Sequence, residues 1–446
     1  MPHFCLITRS VIKQARQYLC GLIHAKRKNV ERMVEAVPDS KYQALHHFLS
    51  DSTWSARAVM DQVGQQADAA LGGYEDSCLL IDETSFPKKG KMSVGVARQW
   101  CGQLGKVDNC QVAVYASLSR GVHSALIDTR LYLPKEWVED AERCEKAKVP
   151  EAERVDRSKV ELALEMVRHA RAQGMRFHWV GADGGYGKDP QFLRGLADAG
   201  ESFVVDVHKN QRVYLEDPRP AVPPRQGQKG KAPSRLRTEV ESHEVEAWAK
   251  RQPRNAWQRI RFRDSTKGVL RLDVLSRQVW LWDGKESEAR CWRLIVTREV
   301  GSERSLKYGL SNFPAEVSLR ELAQRQRQRY WIERSFQDAK SECGLGEYQA
   351  RGWVAWHHHM ALVMMAMQFL LEERLLQKDQ HELLSCADVV ELLMHTLPRR
   401  DVTLDEVVRQ MEVRHRQRRE AIESAHRVQK RNKPLKKSSL RDPTRI

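Results

Sequence analysis

The sequence predicts an α/β protein whose sheet-and-helix core is interrupted by a β-rich block and flanked by helical segments. Three observations carry this. Between residues 77 and 207, short apolar runs alternate with stretches of helical period, the pattern of a sheet with helical cover. From 239 to 313 the helical period gives way to short strand-like runs separated by turns. Before 77 and after 314, apolar residues return to three- and four-residue spacing. The chain has 446 residues, room for two to four hydrophobic cores at roughly 100–200 residues per domain.

The first 76 residues read as a helical, DNA-binding type of domain. Val11, Ala15, Tyr18, Leu19, Leu22 and Ile23 recur at helical steps, and Leu45, Phe48 and Leu49 mark a second stretch. Asp51 or Ser52 is placed to cap a helix from Trp54, and Gly72-Gly73 closes the domain. The core then opens with strands at 78–81, ending on Asp82, at 93–100 and at 109–117, with 118–133 in the same style. A helix over 159–173 is closed by Gly174, where a glycine relieves the left-handed turn. A buried strand at 177–181 leads into Ala182-Asp183. Asp189-Pro190 supplies the N-cap and first-turn proline of a helix that Gly200 ends, and 203–207 is again a strand.

Residues 217–238 hold five prolines and six Lys/Arg against one acid, the composition of a flexible basic linker. Strands at 257–262, 270–275, 279–282 and 291–296 follow. Ser318-Leu-Arg-Glu321 is a capping box opening a helical region that runs to about 345. The segment 353–377 is apolar nearly all round, so it must be buried. The predicted organisation is therefore 1–76 helical, 77–216 core, 217–313 linker and β-rich insertion, 314–397 core again, and 398–446 a basic tail, helical or disordered.

Lys and Arg total 75 against 59 Asp and Glu, a formal net charge of +16. Residues 414–446 carry twelve Lys/Arg and three acids, so more than half the excess sits in the tail. A polyanion is the expected partner, since neutralising phosphates releases condensed counterions. The nine cysteines are scattered and lack a C-x-x-C, which disfavours a disulfide framework or zinc ribbon. No secretory h-region opens the chain, and the longest apolar run, 360–371, falls short of the roughly 20 residues of a spanning helix. No membrane association and a cytoplasmic location are expected. Residues 181–188 imitate a phosphate-binding loop, but the spacing is one residue too long and Asp189 replaces the Ser/Thr, so no nucleotide cofactor is expected. His357-His358-His359 occupy adjacent helical positions that cannot share a face, which favours packing over a metal site.

Three acids stand out by position. Asp82 and Asp183 each end an apolar strand, the second followed by Gly184-Gly185-Tyr186-Gly187, and Glu333 lies in a basic helix. Hydrolysis of a phosphodiester needs an activated water, a stabilised leaving oxygen and relief of charge at phosphorus. Two Mg²⁺ ions bound by carboxylates supply all three. Arg329, Glu333 and Lys340 are spaced by four and seven, so they fall on one helix face.

The segments 80–90 (Leu-Ile-Asp82-Glu-Thr-Ser-Phe-Pro-Lys88-Lys89-Gly), 95–100, 109–113, 182–187 and 331–336 resemble bacterial insertion-sequence transposases of the DDE superfamily. The resemblance runs from about residue 10 to 375. It implies an RNase H-like catalytic core holding a β-rich insertion, with Asp82, Asp183 and Glu333 as catalytic and metal-binding triad. The cofactor implied is Mg²⁺, two ions, with Mn²⁺ able to substitute. The activity implied is cut-and-paste transposition: water cleaves the element end, then the freed 3′-OH attacks target DNA. Double-stranded DNA, as terminal repeats and as target, is the implied partner, bound by a homodimer. The family's signature around the glutamate is matched by Arg329, Glu333 and Lys340, whereas its Tyr position holds Gln326 and Tyr330 lies one turn away. Further DNA contacts are expected from Lys88, Lys89 and the cluster Lys26-Arg27-Lys28. A tryptophan of the β-rich block would stack on a displaced base, with Trp282 the candidate and Trp280 and Trp292 behind it. The rival readings are a nuclease that cuts without joining, a DNA-binding regulator that has lost catalysis, and an RNA-binding scaffold.

Overall fold

Among the described residues, one mixed sheet of twelve strands organises the fold. The computed structural model describes residues 2–5, 10–225, 233–265, 268–301 and 306–431. The middle of the basic linker and the tail beyond 431 lie outside the described residues. In chain order the strands are β1 (Cys78–Pro87), β2 (Ala97–Cys101), β3 (Lys106–Arg120), β4 (His123–Leu131), β5 (Trp179–Ala182), β6 (Phe203–Val207), β7 (Arg212–Tyr214), β8 (Ser242–Glu244), β9 (Gln258–Ser265), β10 (Gly268–Leu281), β11 (Arg290–Glu299) and β12 (Lys307–Ser311). β1 is antiparallel to β3 and parallel to β5, and β5 is parallel to β6. The far edge of β3 carries β4 and, further along, β2.

The β-rich block does not stand apart from this sheet. β12 pairs antiparallel with β6, and β11, β10, β7 and β8 follow outward. An edge strand with bare backbone groups is a liability, and β12 covers that of β6 while burying Tyr308 and Leu310. The β-rich block expected between the two parts of the core thus continues the same sheet. The two short strands expected at 270–275 and 279–282 are one continuous β10.

Alternate residues of β1 feed two cores, as a pleated strand requires. Leu79 and Ile81 join the helices Lys159–Ala172 and Pro190–Asp198 on one face. Cys78, Leu80 and Phe86 join the N-terminal helices and the helix Trp353–Leu376 on the other. That helix is long and apolar enough to cross a membrane, yet it is mostly buried inside the protein. It packs on the helices Ile12–His24, Tyr42–Ser50 and Ala56–Leu71 and on β4. The first helices therefore share a core with residues more than 280 positions away. The histidine triplet belongs to this packing. His358 stacks on Trp54 with ring centroids 3.7 Å apart and bonds the carbonyls of Leu49 and Trp54, each at 2.8 Å. His359 bonds the Tyr18 hydroxyl at 2.8 Å.

Local chemistry sets most element ends as expected. Asp189 caps the helix Pro190–Asp198 by accepting from Gln191, and Ser158 and Ser318 form capping boxes with Glu161 and Glu321. The cap of Ala56–Leu71 is Ser55, not Asp51 or Ser52. Asp51 is drawn instead to Lys148 at 2.9 Å. The tail is helical from Leu404 to Arg431. Arg414 anchors its first half to Glu35 at 2.7 Å, and residues 415–429 are exposed throughout.

Candidate active site

The register of three parallel strands builds the acidic end of the sheet. Ile81 of β1 pairs with Ala182 of β5, and Ala182 pairs with Val205 of β6. The next residue on each chain is an aspartate: Asp82, Asp183 and Asp206. Asp82 is not the last residue of its strand, because β1 continues beyond the parallel pairing to Pro87 against β3 alone. Asp183 leaves the sheet at once. Its Oδ1 accepts from the amides of Gly185 at 2.9 Å and Tyr186 at 3.3 Å, capping the short helix Gly184–Gly187. Gly187 is obligatory here, since a Cβ would lie 1.9 Å from the Asp206 carbonyl oxygen.

Glu333 comes from above. The helical region predicted from 318 is two helices, Leu319–Gln328 and Tyr330–Ser341, parted by Arg329 alone, so Glu333 sits in a first turn rather than mid-helix. Arg329 is enclosed by acids: its Nη1 lies 2.7 Å from Glu333 and 3.4 Å from Asp82, and its Nε lies 3.1 Å from Asp206. Lys340, two turns on, donates to the Thr84 hydroxyl at 2.8 Å. Asp82 and Thr84 share one face of β1, so the predicted helix face of Arg329, Glu333 and Lys340 is the one turned toward that strand. Burial and the neighbouring Asp183 push the Asp82 carboxyl up to about 8, against the opposing pull of Arg329.

Gln326, at the position where the resemblance calls for tyrosine, is buried. Its Oε1 accepts from the Thr297 hydroxyl at 2.9 Å and its Nε2 donates to Asp206 at 3.1 Å. It is therefore turned into the protein. Tyr330 is largely exposed, its ring edge-on to Trp331. Asp206 is the acid that sequence reading missed. It sits inside the apolar run 203–207, and only the strand register shows it level with Asp82 and Asp183.

The predicted DNA contacts are dispersed. Lys88 lies over the Tyr348 ring at 3.7 Å, burial drawing its ammonium down to about 8, while Lys89 is exposed. Lys26 and Arg27 are exposed, but Lys28 is buried with its ammonium on the Ile23 carbonyl at 3.1 Å. Trp282 is half-buried just past β10, three strands from Asp206, and its indole N–H closes its own turn on the Glu286 carbonyl at 2.8 Å. Trp292 is core, edge-on to Phe203.

Residues 3–269 match the family model described as DDE superfamily endonuclease. The chain belongs to the DDE superfamily. The matched residues contain Asp82 and Asp183 and stop short of Glu333. A curated relative, the probable transposase for insertion sequence element IS701 of Microchaete diplosiphon, is 26% identical over 327 residues, covering 73% of each chain.

DDE superfamily enzymes use divalent metals, and the donor set here suits a hard cation: three carboxylates, two of them crowded enough to lift the Asp82 carboxyl. Among the described residues no three such groups stand close enough to hold an ion as placed. The Arg329 guanidinium, itself a cation, lies against both Asp82 and Glu333.

The Asp82 shift predicts a pH dependence. Its carboxyl holds a proton more tightly folded than unfolded, so its favourable contribution is complete below the unfolded value of about 4 and is lost as pH rises through about 8. Metal-free protein is expected to melt at lower temperature as pH goes from 5 to 8. In Asp82→Asn the decline should be shallower, and parallel melting curves would refute the assignment.

Proposed function

We propose that this chain is a DNA transposase of an insertion sequence, with Asp82, Asp183 and Glu333 as its catalytic metal-binding carboxylates. The observation carrying the reading is the register that brings Asp82 and Asp183 side by side just past the parallel pairing of β1 and β5, with Glu333 joined to Asp82 through one guanidinium. The order β4-β3-β1-β5-β6, antiparallel on one side of β1 and parallel on the other, supports an RNase H-like core. The β-rich strands then extend that core's sheet. The relative named as a probable transposase supports strand transfer over simple cleavage.

Two Mg²⁺ ions at these oxygens would activate the attacking hydroxyl and neutralise charge at phosphorus. The chain's own residues prepare the rest. Asp183 fixes its carboxylate by capping, and Gly184 and Gly185 beside it leave the mouth free of bulky side chains. Lys340 ties the glutamate helix to β1 through Thr84, so Glu333 keeps its height above Asp82. Lys89, Lys26, Arg27 and the exposed arginines 416, 418, 419 and 427 supply cationic surface for double-stranded DNA. Assembly as a homodimer on the two element ends completes the proposal.

The test supplies purified protein with a pre-cut element end, a target plasmid and Mg²⁺. Joined product is expected. Nicking of uncut ends without any joining would replace the transposase reading with that of a nuclease.

A further inference from the structure

Asp206 stands in register with Asp82 and Asp183, yet both of its oxygens are already engaged. Oδ1 accepts from Gln326 Nε2 and Oδ2 from Arg329 Nε, each at 3.1 Å. Gln326 is itself oriented by the Thr297 hydroxyl. Gly309, opposite Asp206 across the β6–β12 pair, leaves the space that Gln326 fills, since a Cβ there would lie 3.0 Å from Nε2. Residues from β6, β11, β12 and the helix Leu319–Gln328 thus converge to present one carboxylate to one side of the Arg329 guanidinium.

The other side of that guanidinium meets the proposed metal set, with Nη1 at 2.7 Å from Glu333 and 3.4 Å from Asp82. A divalent cation taken up there must displace Nη1 from both. An arginine moved off its anions while still enclosed would be an uncompensated charge, which proteins tolerate poorly. Its planar fork lets Nε keep one acid while Nη1 releases others.

We propose that Asp206 is a positioning residue for metal loading: it retains Arg329 through Nε, so that Nη1 serves as a removable counter-ion for Asp82 and Glu333. In the free protein the guanidinium relieves the crowding of the acids. On loading it stays paired to Asp206 and yields the carboxylates. This rests on the metal set proposed above, and it gives Gln326 a role in orienting Asp206.

The test is Mn²⁺ binding to the full-length protein, followed by electron paramagnetic resonance without DNA or turnover. Asp206→Asn leaves Arg329 dependent on Asp82 and Glu333 alone, and affinity is expected to fall roughly 10-fold or more, the scale of a lost outer-shell partner. Arg329→Met removes the competitor and is expected to tighten binding. In the Arg329→Met background, Asp206→Asn should no longer weaken it. Unchanged affinity in Asp206→Asn overturns the proposal, as does a loss that persists in the double variant, which would make Asp206 a direct contributor to the metal's field. Should Asp206→Asn not fold, Arg329→Met decides alone, and failure to tighten overturns it. If wild-type binding proves insensitive to Asp82→Asn and Glu333→Gln, the metal-set reading falls and this inference with it. Dependence on those acids without dependence on Asp206 or Arg329 sinks the inference only.

Discussion

Replacing Asp183 by Asn is expected to leave the chain folded and to silence its cleavage of DNA. The two effects separate because Asp183 caps a helix and is proposed to bind metal as well. As a cap it offers Oδ1 to the amides of Gly185 and Tyr186, and Asn caps about as well as Asp. In its proposed metal-binding role it must be anionic, which Asn is not. Loss of that charge should lower cleavage by at least roughly 10²–10³-fold, the scale found when one charge-stabilising contact to a transition state is removed. The melting temperature should hold or rise, since the crowding of Asp82 by Asp183 is relieved. Melting curves beside a nicking assay check both halves. Nicking near the wild-type rate would remove Asp183 from the chemistry.

Gly187→Ala should damage stability and activity together. A Cβ at 187 would lie 1.9 Å from the Asp206 carbonyl oxygen and 2.9 Å from a Val205 methyl. The first of these is backbone in the middle of the sheet, so no rotamer change relieves it. Overpacking typically costs about 1–3 kcal/mol, and an immovable neighbour places this case at the upper end. The displacement would part Asp183 from Asp206 and Asp82, so cleavage should fall in whatever fraction remains folded. A denaturation midpoint and a nicking rate both like wild type would mean that the short helix does not press on β6 as described.

The acids of the proposed site stand out in the sequence because they interrupt strong patterns. Asp82 and Asp183 each follow an apolar run, and Glu333 shares a helix face with Arg329 and Lys340; position drew attention to them, and the family resemblance joined them as a triad. Asp206 carries no such mark. It occupies one position of a five-residue apolar strand, and its meaning depends on a three-strand register that no local pattern encodes. β12 escaped for a related reason: five residues with a lysine and a glycine look like a loop until the open edge of β6 is known. The one-residue interruption at Arg329 has neither Pro nor Gly to announce it, and Arg329 itself keeps helical backbone angles. Lys28 shows the converse failure. A run of three cations reads as solvated surface, yet packing turned the third inward. The helical N-terminus was recognisable from its period, but its sharing of a core with the helix Trp353–Leu376 required contacts across most of the chain.

The central claim is that Glu333 completes a catalytic site with Asp82 and Asp183. The most direct measurement compares wild type with Glu333→Gln on a labelled element-end duplex in Mg²⁺, scoring binding and nicking separately. Glu333 is half exposed, with Arg329 as its ion-pair partner, so Gln at this position should fold and bind DNA while nicking disappears. Equal nicking by the two proteins would make Glu333 a structural partner of Arg329 and would contradict the account.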